Sequence, residues 1–283
     1  MQNDAKKRVS IIGCGWLGAP LARALRAGGD FSVKGSTTSA DKASAFTQEG
    51  LDVYEALLAP APQGDHWPEL LAAEFLIVNI PPRTSRQGED FHPQQMKHLA
   101  DLVERSPVTD IIYVSSTSVY PDLNRVVEEK DVQDTAEAGS PHLVEAENTL
   151  ISLRNPNRRV TVLRCGGLMG YDRIPGKYVR GREGITTGEV PVNYVHRDDV
   201  VGIIQQLLRE ELPNETLNVV APQHPTRREV YDISCKQFGW ELPTYAASDS
   251  AVAFKIVGGE KLKRYLDYAF EYPNPLSFYY ELV

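Results

Sequence analysis

The sequence predicts an α/β protein, a doubly wound parallel sheet with a small C-terminal lobe. Two observations support this: short apolar runs alternate with helical patterns in the first half of the chain, and a glycine-rich turn follows the first run. Runs of Val, Ile and Leu are typical of strands that helices cover on both faces. The 283 residues are enough for one such domain and a smaller lobe.

The alternation starts near the N-terminal end. Val9–Ile12 is predicted as a buried strand and Leu17–Ala27 as a helix with an apolar side. A second strand is predicted at Phe31–Lys34, and a helix from about Ser39 to Gln48, with Ser39 as its cap. The other elements predicted in this way are the strands Glu74–Ile80, Asp110–Ser116 and Arg159–Gly167, the helices Gln94–Arg105 and Asp198–Arg209, a helix that starts within Gly139–Leu150, and one that starts at Thr226 with Glu229 in a capping box.

The pattern changes after about Gly170. The stretch "GYDRIPGKYVRGREGITTGEVP" is rich in glycine and polar residues and predicts a loop region that covers a pocket. We therefore predict a larger domain over residues 1–168 and a smaller lobe over 169–283. Within the lobe, about 192–220 is expected to return to the larger domain.

Composition excludes several function classes. A formal charge of −8 argues against nonspecific nucleic-acid binding, which needs a basic surface. Cys14, Cys165 and Cys235 are far apart with no CxxC pair, which favours reduced thiols over a disulfide or zinc framework. The sequence shows no targeting segment and no apolar run of membrane-spanning length, so we expect a cytoplasmic protein that binds no membrane.

A glycine pattern follows the first predicted strand and opens the first helix. It comprises Gly13, Gly15 and Gly18 around Cys14, Trp16 and Leu17, in the GxGxxG spacing. The first glycine permits a tight turn, the second lets the backbone approach a pyrophosphate, and the third lets helix and strand pack closely. A strand–helix turn that is glycine-rich for packing alone is the alternative. Strand, spacing and helix together favour dinucleotide binding at this loop.

The residues after the second strand indicate which dinucleotide binds. NAD sites usually carry an acidic residue about 20 positions after the first glycine, where it binds the ribose hydroxyls. Here the stretch "FSVKGSTTSADK" offers Ser36, Thr37 and Thr38 with lysines nearby, and its nearest acid is Asp41. Hydroxyls and lysines suit a 2′-phosphate, so NADP is preferred over NAD. The alternative is a polar loop that only caps the next helix.

Several stretches together resemble the extended short-chain dehydrogenase/reductase family of NAD-dependent epimerases and dehydratases. Besides the glycine loop, they are "IIYVSSTSVYPD", "TVLRCGGLMG", "VNYVHRDDVVGII" and "YAFEYPNP", and their order covers nearly the whole chain. The resemblance implies a Rossmann-type sheet with a small C-terminal substrate lobe, and by the same analogy a homodimer. It also implies that Ser116 is the catalytic serine, binding a substrate oxygen, and that Ile80 and Pro81 lie along the cofactor.

The chain departs from this family where the family carries its YxxxK pair. One alignment of "LVEAENTL" puts Gly139 at the tyrosine and Leu143 at the lysine; a register three residues along puts His142 and Ala146 there. The family tyrosine acts as a proton donor because lysine and cofactor lower its pKa. Histidine side chains commonly act as proton donors at neutral pH, so His142 is the predicted substitute. A solvated or capping histidine at a helix start is the alternative.

Two functions follow from these observations. In the first, the protein is an NAD(P)-binding oxidoreductase or epimerase that acts on a sugar nucleotide or a small carbonyl compound with an unconventional proton donor. In the second, it is a catalytically inactive NADP-binding sensor or regulatory module. The predicted catalytic residues are Ser116 and His142, and no metal site is predicted.

Overall fold

A seven-stranded parallel sheet forms the centre of the protein in the computed structural model, which describes residues 6–82 and 84–282. Across the sheet the third strand of the chain lies at one edge, followed by the second, first, fourth, fifth, sixth and seventh. The order reverses between the first and fourth strands, where doubly wound sheets bind ligands at the carboxyl ends of their strands. The strands are β1 (Lys7–Ile12), β2 (Phe31–Thr37), β3 (Asp52–Glu55), β4 (Phe75–Val78), β5 (Asp110–Ser116), β6 (Arg159–Cys165) and β7 (Thr216–Val219).

Helices cover both faces of this sheet, as the apolar strands predict. Alternate residues of a strand point to opposite faces, so Ile112 packs with the first apolar cluster and Ile111 with the second. The helices are α1 (Gly18–Gly28), α2 (Ala40–Gln48), α3 (Trp67–Leu71), α4 (Thr84–Gln87), α5 (Phe91–Glu104), α6 (Pro141–Ile151), α7 (Arg197–Arg209), α8 (Arg227–Gln237) and α9 (Leu262–Tyr265). The first cluster includes the buried faces of α1 and α7, and the second cluster includes those of α3, α5 and α6.

The predicted fold class is confirmed, and two sheet strands were not predicted. β3 buries only one side chain, Val53, and β7 carries the polar Asn218 in a fully buried position. Neither strand therefore shows the continuous apolar run by which the others are recognised. A short parallel pair outside the main sheet, Arg125–Val127 with Lys255–Val257, also lacks such a signal.

The glycine-rich segment after Gly170 consists mostly of turns, as predicted, and one part of it packs closely against α8. A short 3-10 helix, Pro175–Tyr178, lies against α8, and the Gly176 amide donates to Ser234 Oγ at 2.9 Å. A Cβ at Gly176 would lie 2.8 Å from Cys235 Sγ, so the glycine is required by this contact. Close packing against α8 therefore explains Gly176, one of the glycines in the segment predicted as a loop.

A buried ion pair joins α6 to the sheet. Arg164 Nη2 of β6 lies 2.7 Å from Glu147 Oε2 of α6, and the side chains are 4% and 1% exposed. The same guanidinium donates to the Tyr120 hydroxyl and to the Val132 carbonyl, both at 3.0 Å. Ser115 Oγ donates to the other oxygen of Glu147 at 2.5 Å. All partners of the two charges are thus supplied by the protein, as a buried pair requires.

We expect Glu147→Gln to destabilise the protein strongly. Removing one charge of a buried pair leaves the other uncompensated, at a cost of about 3–5 kcal/mol in the free energy of unfolding. The matched control is Glu145→Gln on the same helix, since Glu145 forms an exposed pair with Lys97 at 2.7 Å, a type of pair that contributes about 0–1 kcal/mol. Urea denaturation of both variants measures the difference, and equal effects would contradict this account of the ion pair.

Candidate functional site

The glycine loop at the end of β1 is held by contacts that exclude side chains. Gly13 has a φ of +107°, and a Cβ there would lie 2.3 Å from the Asn79 carbonyl oxygen. A Cβ at Gly18 would lie 2.2 Å from the Gly13 carbonyl oxygen, whereas one at Gly15 would meet nothing within 4 Å. Two glycines therefore close the turn, and Gly15 leaves its backbone open to a ligand.

A first cavity of about 460 Å³ lies between this loop and the ends of β2 and β3. Lys42 is the only charged side chain among its described lining residues. Thr38 is exposed there, and Ala56, the residue after β3, also borders the cavity. The predicted residues in this wall are Gly13, Gly15, Ser36, Thr37, Thr38 and Ile80. The cavity thus presents hydroxyls and one cation to its contents.

A second cavity of about 210 Å³ continues along the edge of the sheet. It shares Asn79 and Ile80 with the first cavity, which makes the two neighbours. Its lining also includes Trp16, Leu17, Pro81, His92, Tyr113, Ser115, Ser116, Leu143 and Arg173. The predicted cofactor residues from the loop and from the end of β4 therefore meet the predicted catalytic serine here.

A third cavity of about 370 Å³ lies between the sheet and the C-terminal lobe. Ser116 belongs to its wall as well as to that of the second cavity. The C-terminal part of the chain contributes Tyr194, Arg227, Tyr231 and Lys255, which are not among the predicted site residues. An isolated Arg or Lys carries no signal in one sequence, so only the fold reveals this grouping.

Two of the predicted cofactor-binding residues, Gly18 and Ser36, hold the glycine loop in its conformation. Gly18 packs against Gly13 and is absent from the described walls of the three cavities. The Ser36 hydroxyl accepts a hydrogen bond from the Gly13 amide at 3.1 Å. The Ser36 side chain is therefore engaged in holding the turn, although it borders the first cavity.

α6 presents Leu143 to the second cavity. Leu143 takes the position of the family lysine in the first of the two alignments, and it lies in the cavity wall. Ala146, which takes that position in the second alignment, is not among the described wall residues. His142 precedes it at the helix start and is not among the described wall residues of the three cavities. His142 lies close enough to His92 to contribute to the low pKa of that side chain. Its catalytic role stays a prediction.

A neutral histidine–tyrosine pair borders the second cavity. His92 Nε2 lies 2.7 Å from the Tyr113 hydroxyl, and its Nδ1 lies 3.1 Å from Gln95 Oε1. Gln95 Nε2 donates to the Leu58 carbonyl, which fixes the amide and assigns the imidazole hydrogen to Nδ1. Burial lowers the pKa of His92 and raises that of Tyr113, so both are neutral and the phenol donates to Nε2.

Trp16 joins the glycine loop to the segment after β6. Its Nε1 donates to Asp172 Oδ1 at 2.6 Å, and the Arg173 guanidinium lies 4.0 Å from the ring centroid. The guanidinium of Arg197 lies 5.2 Å from the same ring. Cations near aromatic faces stabilise such contacts by about 0.5–2 kcal/mol. This contact closes the side of the second cavity.

Thiolate chemistry has no support at these cavities. Burial raises the pKa of Cys14 and of Cys165 to about 12, and also raises that of Cys235. All three thiols are free and buried. Within residues 6–82 and 84–282, no group of His, Cys, Asp or Glu side chains has the arrangement of a metal site. No helix in this described part is long and apolar enough to span a membrane.

Comparisons with known proteins found a relative in sequence and solved structures with a similar fold. Protein YeeZ of Escherichia coli strain K12 is 35% identical over 272 residues, which span 95% of this chain and 98% of YeeZ. No protein-family model matches the chain. Among solved structures, a UDP-glucuronic acid 4-epimerase from Bacillus cereus, in complex with UDP-glucuronic acid and NAD, superposes with a TM-score of 0.77 at 14% identity, covering 96% of both chains. A functionally unknown conserved protein from Silicibacter pomeroyi DSS gives a TM-score of 0.71 at 21% identity, also covering 96% of both.

We expect the stability of the protein to fall as the pH drops below about 6.5, the ordinary histidine pKa. Burial lowers the pKa of His92, His196 and His224, so below that pH the unfolded chain takes up protons that the folded protein does not. Each such histidine contributes up to about 1.4 kcal/mol per pH unit. Urea denaturation between pH 7.5 and 5.5 measures this slope.

The variant His92→Gln should show a shallower slope than the wild type, because one of the three groups is removed. Gln94→Ala, on the exposed side of the same helix, is the control and should keep the full slope. A free energy of unfolding that stays constant or increases as the pH is lowered from 7.5 to 5.5 would contradict the assignment of neutral buried histidines.

Proposed function

We propose that this chain, which belongs to the extended short-chain dehydrogenase/reductase family together with YeeZ, is an NADP-dependent oxidoreductase or epimerase-like enzyme. Its substrate is a sugar nucleotide or a small carbonyl compound. One observation carries the proposal: three neighbouring cavities follow the carboxyl edge of the sheet, with the glycine loop at one end and Ser116 between the last two. This is the arrangement that a dinucleotide and a second ligand require.

The loop residues fit the pyrophosphate of a dinucleotide. α1 begins directly after Leu17 with no side-chain cap and no acidic residue in its first turn. The amides at such a helix start attract an anion, and Gly15 allows its close approach. Ile80 and Pro81, which border the second cavity, would lie along the nicotinamide half. A nicotinamide cofactor supplies or accepts a hydride when bound; the chain itself binds and orients the reactants.

The first cavity fits a 2′-phosphate. Lys42 and Thr38 border it, and its described wall contains no carboxylate that would repel a phosphate. The Lys34 ammonium, by contrast, lies 5.8 Å from the Tyr54 ring centroid and outside the described wall. We therefore assign the 2′-phosphate contact to Lys42 and Thr38, with Ser36 holding the turn beside them.

We expect Lys42→Gln to weaken NADPH binding by about tenfold or more, because a charged hydrogen bond contributes about 1.5–3 kcal/mol. The affinity for NADH should change little, since NADH lacks the 2′-phosphate. Fluorescence titration with both cofactors measures this, with Lys34→Gln as the control variant. A wild-type protein that binds NADH more tightly than NADPH would overturn the cofactor preference.

Ser116 has the hydrogen-bonding state that a substrate-binding serine needs. Its Oγ accepts from the Ser118 amide at 3.2 Å, and the described residues offer no acceptor for its hydrogen. The hydroxyl is therefore free to donate to a substrate oxygen at the junction of the second and third cavities. The neighbouring Ser115 hydroxyl already donates to Glu147.

A second function, NADP binding without turnover, is favoured by Leu143. An apolar side chain at this wall position neither holds a ribose nor lowers the pKa of a proton donor. In this proposal the protein acts as a sensor or regulatory module. Sustained NADPH oxidation with any member of a carbonyl panel would exclude it.

We expect Ser116→Ala to lower kcat by about 10²–10³-fold, the usual effect of losing one hydrogen bond to a developing oxyanion. NADPH affinity should be unchanged, and Ser152→Ala, at the exposed end of α6, should behave as the wild type. His142→Ala tests the proton donor separately: full activity in this variant would exclude His142 from catalysis. Steady-state NADPH oxidation is the measurement.

A further inference from the structure

Arg227 places an unpaired cation in the third cavity. It is the first residue of α8, half-buried, and its amide donates to the Val190 carbonyl at 2.9 Å. The guanidinium has no carboxylate or hydrogen-bond partner among the described residues. Burial raises the pKa of Tyr194 in the same wall, and the charge of Arg227 partly offsets this, which places the two side chains near each other. A half-buried charge without a partner is costly unless a ligand supplies one.

The other charges of this cavity are already balanced. The Lys255 ammonium lies 3.0 Å from Asp122 Oδ1 and donates to the Tyr120 carbonyl at 2.7 Å. Among the described wall residues, Asp122, Arg227 and Lys255 are the charged ones. The cavity therefore has an excess of one positive charge, which belongs to Arg227.

The neighbouring cavity on the side away from Ser116 offers no further free cation among its described residues. A neighbouring cavity of about 550 Å³ shares Val190 and Phe254 with it. Its described charged residues are Arg228 and Glu189, whose side chains pair at 2.7 Å. A diphosphate that extended in this direction would meet no unpaired cation, which favours a substrate with a single anionic group at Arg227.

We propose that the substrate is a small carbonyl or hydroxyl compound with one anionic group, a carboxylate or a phosphate monoester, that Arg227 binds. This inference rests on the proposed function and narrows its substrate class. Arg227 and Ser116 border the same cavity, so one small molecule can present its anionic group to the guanidinium and its reacting oxygen to the hydroxyl. A guanidinium binds either anion through two parallel hydrogen bonds. The volume lies at the lower end of the usual range for ligand pockets, about 300–1,000 Å³.

The test compares pairs of probes that differ only in the anionic group. They are 2-oxobutanoate with butanone, glyceraldehyde 3-phosphate with glyceraldehyde, and UDP-glucose alone. Dissociation constants come from ligand-observed NMR on the full chain, with and without NADP. The variants are Arg227→Gln and, as the matched control, the adjacent Arg228→Gln, whose side chain is paired and outside the third cavity.

We expect the anionic member of at least one pair to bind about tenfold or more tightly than its neutral partner, since a hydrogen bond to a charged group contributes about 1.5–3 kcal/mol. This preference should disappear in Arg227→Gln and persist in Arg228→Gln. Which pair shows it distinguishes a carboxylate from a phosphate.

Three results would overturn the inference: equal or undetectable binding within both pairs, a preference that survives Arg227→Gln, or UDP-glucose as the tightest ligand. NADPH titration of the same samples keeps the proposed function separate. If NADPH binds and no anion preference appears, only the substrate class is wrong. If the preference appears without NADPH binding, the proposed function is wrong and the anion site remains.

Discussion

The buried pair of Arg164 and Glu147 is the interaction on which the arrangement of the site depends. It connects α6 to β6, and through the Tyr120 hydroxyl, which donates to Asn218 Oδ1 at 2.7 Å, it reaches β7. Together with Ser115 of β5, which donates to Glu147, one network thus joins β6 and β7 to the two elements that line the second cavity, β5 and α6. Because both charges are almost completely buried, the network tolerates little displacement of α6 relative to the sheet.

This network also decides which polar groups near the cavities remain free. Ser115 and Ser116 are adjacent in β5, and alternation along a strand points them to opposite faces. Ser115 donates to Glu147, whereas Ser116 keeps its hydrogen for a ligand. Burial raises the pKa of Tyr120 to about 12, and its hydroxyl is committed to Asn218. Of these two serines and the tyrosine, only Ser116 has a hydroxyl without an acceptor among the described residues.

The sequence was sufficient for the fold and for the position of the glycine loop within it. The apolar runs and the glycine spacing predicted the parallel sheet and the loop, because those features follow from local burial and backbone sterics. β7 was not predicted because the polar Asn218 interrupts its apolar pattern. Asn218 can be buried because it accepts a hydrogen bond from Tyr120, which lies 98 residues away in the sequence. The lobe's contribution was equally hidden: Arg227 borders the site only because α8 packs there, and no local pattern records that packing.

The distribution of charge connects the two ends of the site. The chain carries a formal charge of −8, yet the three cavities along the sheet contain three cations that form no salt bridge with a described residue: Lys42, Arg173 and Arg227. Lys42 lies in the first cavity, Arg173 lies in the second beside the Trp16 ring, and Arg227 lies in the third. An acidic protein repels anions in general, so these cations confine the attraction for anions to this edge of the sheet. In the proposed function Lys42 meets the cofactor and Arg227 the substrate, and because they lie in different cavities each can be replaced separately.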